Sequence, residues 1–356
     1  MKKLFLSMVA LMMATLSYAQ DVLVATLNHE DNITMYYGIY AFSSAHNAAV
    51  SGDIITLSGG AFKGDFTITK AVTVRGTGID APNSTCISSK LEINIPESDT
   101  NRFSVEGVRF DDQTVLYGSF SNPCFLKCQF YSVLFENSSS KYSYIKDALF
   151  VNCKITGYLH LYGANTALFS HCYIYAYSSD FGSSKAQFCN CVLYGSFDKY
   201  NRSSFVNCIL CYTGNCDPLP SECSAMNCTA IYRYHYDYYA VGGAHFSADE
   251  YKYNVYTNMQ GNQVSCSSST YEAMFKGFGE EPRNAYKFFE SSNTFELTDE
   301  AKTKFLGTDG TEVGLYGGKY PYDSTPAYPH ITKFNVAKQA TADDKLSVEI
   351  EVSATE

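Results

Sequence analysis

A hexapeptide pattern recurs through the middle of the chain. Phe125-Leu126-Lys127-Cys128-Gln129-Phe130 is echoed by Phe150-Val151-Asn152-Cys153-Lys154-Ile155, Phe169-Ser170-His171-Cys172-Tyr173-Ile174 and Phe188-Cys189-Asn190-Cys191-Val192-Leu193. Phe205-Val206-Asn207-Cys208-Ile209-Leu210 and Ala225-Met226-Asn227-Cys228-Thr229-Ala230 complete the series. The key Cys recurs at intervals of 25, 19, 19, 17 and 20 residues. Units this short, rich in β-favouring side chains, leave no room for a pair of helices and suit one coil of a parallel β-helix. The expected fold class is therefore all-β, a solenoid of stacked coils.

Side chains alternate across a strand, which puts Val151, Cys153 and Ile155 on one face, as it does Leu126, Cys128 and Phe130, or Val206, Cys208 and Leu210. That face is apolar and is expected to point inward. The Phe three places before each Cys is expected to form its own interior stack, reached across a bend. Between them stand Lys127, Asn152, His171, Asn190, Asn207 and Asn227; Asn tolerates left-handed backbone, so a stacked Asn at each corner is the expected device. The chain has 13 Cys. Stacking at roughly 4.8 Å makes a ladder of buried thiols the first reading of them, and the same spacing would admit vertical disulfides. Cys208, Cys211, Cys216 and Cys223 crowd together, which leaves a zinc site or a local Cys216–Cys223 disulfide as alternatives, although no paired C-x-x-C is present.

Residues 1–19 open with Lys2 and Lys3, continue through an apolar run and close on Ser17-Tyr18-Ala19, the pattern of a secretory signal peptide cleaved near Ala19. The expected location is secreted, periplasmic or at the cell surface. With 26 Lys plus Arg against 36 Asp plus Glu, the net charge is −10. That balance excludes a generic nucleic-acid binder, which needs a concentrated cationic face. No later segment is apolar enough to span a membrane as a helix.

Towards the N-terminus, residues 39–50 place Ile39, Phe42, Ala45, His46, Ala49 and Val50 at near-helical spacing and predict an amphipathic helix. Gly52-Asp53-Ile54-Ile55-Thr56-Leu57 and Val72-Thr73-Val74-Arg75-Gly76-Thr77-Gly78 follow as short strands. Here the chain resembles the pectate-lyase-like right-handed parallel β-helix superfamily, whose members often begin with a capping helix, a G-D-x-I strand and a strand ending in G-x-G. Further on, Thr308-Asp309-Gly310-Thr311-Glu312-Val313-Gly314-Leu315-Tyr316-Gly317-Gly318 looks like the closing coil of secreted β-helix proteins of the Bacteroides type. The expected organisation is a signal peptide at 1–19, an N-terminal cap with the helix at 20–52, the β-helix at 53–325 with irregular coils from about 233, and a C-terminal β-hairpin or tail at 326–356. Residues 331–336 and 346–352 alternate cleanly and are expected to pair over the last coil, or else with another chain.

The resemblance implies either an Asp cluster holding Ca²⁺ with a basic partner, as in the lyases, or an Asp trio, as in the glycosidases. Neither transfers to this sequence, because Asp111, Asp112, Glu136, Asp147 and Asp180 do not recur at coil spacing on one outward position. Asp111 and Asp112 read as a turn. No catalytic residue, metal ligand or cofactor is assigned. One segment stands out: Tyr232, Tyr234, Tyr236 and Tyr238 would share one face of a strand, and Arg233, His235 and Asp237 the other. Buried, the Tyr face would be a polar-edged core ladder or plain loop packing; exposed, it suits stacking against sugar rings beside hydrogen-bonding groups. The leading functional expectation is a non-catalytic protein binding a polysaccharide or host cell-surface glycan. A polysaccharide lyase or glycoside hydrolase is the alternative, and a structural assembly protein the second alternative.

Overall fold

The computed structural model describes residues 23–136, 138, 141–163, 165–176, 178–195, 200, 202–212, 223–232, 259–260, 275–277, 293–336 and 348–353. Among these the protein is all-β, with two long sheets of mostly parallel strands and two helices, an arrangement consistent with a β-helix. One 12-stranded sheet runs from Asn32–Tyr37 and Val24–His29 through Ile54–Leu57, Thr73–Arg75, Ser104–Glu106 and Cys124–Leu126 to Met259–Gln260. The second begins at Gly60–Phe62 and Thr85–Ile87 and continues through Arg109–Leu116, Gln129–Phe135 and Lys154–Leu161 to Thr229–Tyr232. Each hexapeptide supplies the end of a strand to the first sheet and the start of a strand to the second. A third, two-stranded parallel sheet joins Gly118–Ser121 to Ser143–Lys146.

The residue before each Cys makes the bend. Lys127, Asn152, His171, Asn190, Asn207 and Asn227 all have left-handed backbone, with φ of 52, 54, 50, 52, 55 and 47°. Gly107 does the same one repeat earlier at 68°. A left-handed residue interrupts strand alternation, so Phe150 and Cys153 both face inward while Val151 is left half-exposed on the outside. The same holds for Leu126 and Val206, which the alternation rule had placed inside with the Cys; the corner resets the count. The backbone at each corner stays bonded between repeats, for example Asn152 N–H to Ser170 O at 3.0 Å and Asn190 N–H to Val206 O at 3.0 Å.

Two interior columns follow. Phe125, Phe150, Phe169, Phe188 and Phe205 stack nearly parallel, with successive ring centroids 4.9, 4.7, 4.9 and 4.9 Å apart. Beside them Cys128, Cys153, Cys172, Cys191, Cys208 and Cys228 form one buried line in which each thiol meets the next. Each thiol from Cys153 to Cys208 also lies within hydrogen-bonding reach of the carbonyl of the Phe one repeat earlier, as Cys153 does with Phe125 O at 3.4 Å and Cys191 with Phe169 O at 3.4 Å. Cys is small enough for this crowded position and still carries a weak donor. Burial pushes Cys153, Cys191 and Cys228 well above the ordinary thiol range. All eleven described Cys are free thiols, so no vertical disulfide links them; Cys216 lies outside the described residues.

At the N-terminal end, Val24–His29 pairs antiparallel with both Asn32–Tyr37 and Ile54–Leu57. The helix Ala41–Ala48 buries Phe42, Ala45 and His46 against them, while Ile39 and Val50, expected on its apolar face, are exposed. Lys70 ends this helix by donating to the carbonyls of His46, Asn47 and Ala49 at 3.0, 2.8 and 2.7 Å.

The segment expected to close the last coil does something else. From the short helix Asp299–Lys304, capped by the Thr298 hydroxyl, the chain runs back along the row of corners towards the N-terminal repeats. Thr308 N–H donates to Asn207 Oδ1 at 2.8 Å, Asn190 Nδ2 to Gly314 O at 3.2 Å, and His171 Nε2 lies 3.0 Å from Gly317 O. Lys127 Nζ reaches Asp323 at 2.8 Å, Ala327 N–H reaches Glu106 at 2.8 Å, and the Tyr328 hydroxyl donates to Gly76 O. Gly314 passes so close that a Cβ there would stand 2.6 Å from Ile209 Cδ1, and its φ of 82° also favours glycine. Val313 and Leu315 join Phe295, Leu297, Ala301 and Phe305 in a second apolar cluster over Tyr173, Val192 and Ile209. The C-terminal strands His330–Val336 and Val348–Ser353 pair antiparallel as expected. They begin two residues after Tyr328, beside the N-terminal repeats and not the last one.

Asn190→Ala should cost about 2 kcal/mol in urea unfolding, the sum of a left-handed non-glycine corner and a lost hydrogen bond to Gly314 in the returning segment 308–328, the strap. Asn190→Gly should recover the backbone part of that loss. Thiol titration in denaturant should find at least the eleven described Cys reactive, and the folded protein should hide nearly all of them.

Candidate ligand-binding face

The outer face of the second sheet differs between its two ends. After Cys172, Cys191 and Cys208 the next residue is Tyr173, Val192 or Ile209, and the second apolar cluster covers it. In the earlier repeats the same position holds Arg109, Gln129 and Lys154, which are polar and half-exposed and lie outside that apolar cluster. The register Leu91↔Thr114↔Val133↔Leu159 points inward, which puts Glu92, Leu134 and His160, all half-exposed, in the next column with the buried Val115 between them. Tyr117 and Tyr162 stand two places further along their strands on the same side.

Glu92 is the centre of this face. Lys90 and Lys141 both donate to its Oε1, at 2.8 and 2.6 Å. Thr67 and Tyr117 hydroxyls approach Oε2, each at 3.4 Å. Lys141 comes from the loop after Gln129–Phe135 and lies over the Tyr117 ring, 4.6 Å from its centroid, where a cation–π attraction adds to the ion pair. Burial alone would raise the Glu92 carboxyl, but the hydrogen bonds and charges of Lys141 and Lys90 outweigh it and hold the group at about 2. Lys141 is raised in turn by Glu92.

On the same sheet, three strands from Glu92 in this register, runs an aromatic strip. Tyr131 meets Tyr158 edge-on at 6.3 Å, Tyr158 meets His160 at 6.0 Å, and His160 meets Tyr162 at 5.0 Å. Tyr158-Leu159-His160-Leu161-Tyr162 alternates strictly, with Leu159 and Leu161 fully buried and the three rings outside. Tyr142 and Tyr144 are exposed on the adjoining third sheet, Tyr144 with Lys146 4.9 Å from its ring centre. Further round the same repeats, Glu97, Arg102, Ser121 and Asn122 help to line a polar cleft of about 550 Å³.

The residues singled out from sequence fall elsewhere. Tyr232 ends the strand Thr229–Tyr232, its backbone opposite Tyr212. Arg233, Tyr234, His235, Tyr236, Asp237 and Tyr238 lie outside the described residues. Asp111 and Asp112 do not form a turn. They belong to the strand Arg109–Leu116, at a register shift between Phe110 and Gln113. Asp111 is held by Arg109 at 2.8 Å and by the Cys86 thiol at 2.8 Å, and burial with that carboxylate pushes Cys86 up to about 11. Among the described residues no group of three or more His, Cys, Asp or Glu could hold a metal ion, and no helix is long and apolar enough to cross a membrane. No family model, curated protein or solved structure matches the chain, so the reading of this face rests on its own geometry.

Because the folded Glu92 carboxyl sits below its ordinary value of 4.5, the folded state carries fewer protons than the unfolded one between about pH 4.5 and about 2. Stability should therefore fall as pH drops through that window. Glu92→Gln should flatten this limb of the melting temperature against pH, and should lower stability at neutral pH, where it leaves Lys90 and Lys141 without their carboxylate.

Proposed function

We propose that this protein is an exported right-handed parallel β-helix of the pectate-lyase-like, Bacteroides type, cleaved near Ala19, that binds a polysaccharide or cell-surface glycan without transforming it. The observation that carries this reading is the strip Tyr131, Tyr158, His160 and Tyr162 on the same sheet as the fixed Glu92–Lys90–Lys141 cluster, with His160 three strands from Glu92 in register. Aromatic faces offer apolar area to the C–H side of sugar rings, and ordered charged groups alongside can exchange hydrogen bonds with hydroxyls. A flat, rigid sheet supplies the preorganisation that keeps the cost of binding low.

The electrostatics support binding over proton transfer at this cluster. A general acid or base works best with a pKa near the operating pH. Glu92 is held at about 2 and Lys141 above its ordinary value, so both stay charged through neutrality. The signal-like residues 1–19 support export. The run 232–238, outside the described residues from 233 on, offers the same side-chain chemistry in sequence.

Affinity electrophoresis against a panel of soluble polysaccharides tests the reading. Tyr158→Ala with Tyr162→Ala should weaken retention by tenfold or more on a glycan that retards the parent protein, with the circular dichroism spectrum unchanged. Tyr234→Ala with Tyr236→Ala reports on that run separately. Retention that survives both pairs of substitutions, or no retention on any glycan tested, would overturn the proposal.

A further inference from the structure

The C-terminal hairpin is a two-stranded ribbon whose strands pair with no third strand among the described residues. Its register opposes Ile331 to Val352, Phe334 to Ile350 and Val336 to Val348, while Lys333 opposes Glu351 and Asn335 opposes Glu349. Opposed residues of a ribbon share a face, so the register sorts the hairpin into one apolar and one polar set. A lone ribbon is marginally stable at best in water and needs a surface to pack on.

An apolar patch lies within its reach. Ile33, Met35 and Tyr37 are exposed by 64, 55 and 64%, and Ile39 and Tyr40 extend the patch. The register runs Met35↔Thr26↔Thr56↔Arg75 across four strands. Thr26, Thr56 and Arg75 alternate with the buried Ala25, Leu27, Ile55, Leu57 and Val74, so this column lies on the outer face of the first sheet. The Arg75 guanidinium stands 5.3 Å from the centre of the Tyr328 ring. By the point where the strap ends, it has therefore stepped from the corners onto the face that carries Met35. Three strand spacings, about 14 Å, separate Arg75 from Met35. Only Pro329 stands between Tyr328 and the first strand of the hairpin, whose 7 residues extend about 23 Å.

We infer that the hairpin of His330–Val336 and Val348–Ser353 closes over the outer face of the N-terminal strands and covers Ile33, Met35 and Tyr37 of its own chain. The surface it takes continues the one that the strap already occupies from Asn207 to Gly76. Closure meets two needs together. The ribbon gains the apolar support that a lone hairpin lacks. The edge strand Asn32–Tyr37, which has no charge, Pro or bulge, loses its exposed apolar side chains to solvent no longer. The polar set, with Glu349 and Glu351, is then the one that stays in water. The arrangement with the patch exposed is the open position of this cover, and Pro329 is its pivot.

Met35 reports on the cover directly, because peroxide converts an accessible thioether to its sulfoxide and reaches a covered one slowly. In the chain lacking residues 1–19, peptide mass spectrometry should find Met35 oxidised more slowly, by about fivefold or more, than in the same chain shortened to end at Tyr328. Met226, 46% exposed and on a late repeat, should oxidise at one rate in both and so show the repeats intact. Ile350→Lys keeps the strap and the full length, and should by itself speed Met35 oxidation several-fold; it carries the test if the shortened chain does not fold. A Met35 rate in the parent equal to that in either folded variant would overturn the inference. Protection of Met35 that grows with protein concentration from about 1 to 100 μM would assign the cover to a second copy and equally overturn it.

Discussion

Every other feature of this protein depends on a left-handed residue at one corner of each repeat. From Gly107 through Asn227 the backbone at that corner has φ between 47 and 68°. A single residue there turns the chain from one sheet into the other without a loop, so the repeats can follow one another at strand spacing. The turn also breaks alternation, so a Phe and a Cys only three places apart both enter the core. The ring column and the thiol column are therefore consequences of the corner. Asn is the commonest choice because its amide serves twice: it tolerates the backbone, and at Asn190 and Asn207 it bonds the strap that lies over it.

The strap and the face opposite it divide the molecule. Where Tyr173, Val192 and Ile209 follow the Cys, the outer sheet is apolar and the segment from Phe295 to Leu315 covers it. Where Arg109, Gln129 and Lys154 hold that position, the second apolar cluster does not reach, and this half of the sheet carries the Glu92 cluster and the aromatic strip. One position in the repeat thus decides which half of the sheet is packed and which is available to a ligand.

Much of the architecture was legible because it is periodic. The spacing of Cys128, Cys153, Cys172, Cys191, Cys208 and Cys228 alone implied a column, and the Asn before four of them implied the corner. The placement of Leu126, Val151 and Val206 inside was wrong for a physical reason: period-two counting fails across a residue with positive φ. The change from Lys154 to Tyr173 and Val192 at one repeat position was a readable sign of covered repeats. The strict alternation Tyr158-Leu159-His160-Leu161-Tyr162 likewise marked the aromatic strip. The strap was not legible, because Gly314 meets Asn190 across 124 positions and Tyr328 meets Gly76 across 252, separations at which no local pattern survives. Glu92 was hidden similarly, since its partner Lys141 is 49 residues away and in a different repeat.

Stacked repeats that touch only their neighbours can fray from either end, each lost independently of the rest. Here residues 308–328 are laced back over the repeats as far as Gly76. Undoing an early repeat therefore disturbs the residues that fasten a late one, and the two termini share a fate that a simple array would leave separate. A ribosome-bound chain would hold its early repeats unfastened until residue 328 emerged, so that arrival of this segment, and not completion of each repeat, would set the moment at which the repeats become resistant to proteases.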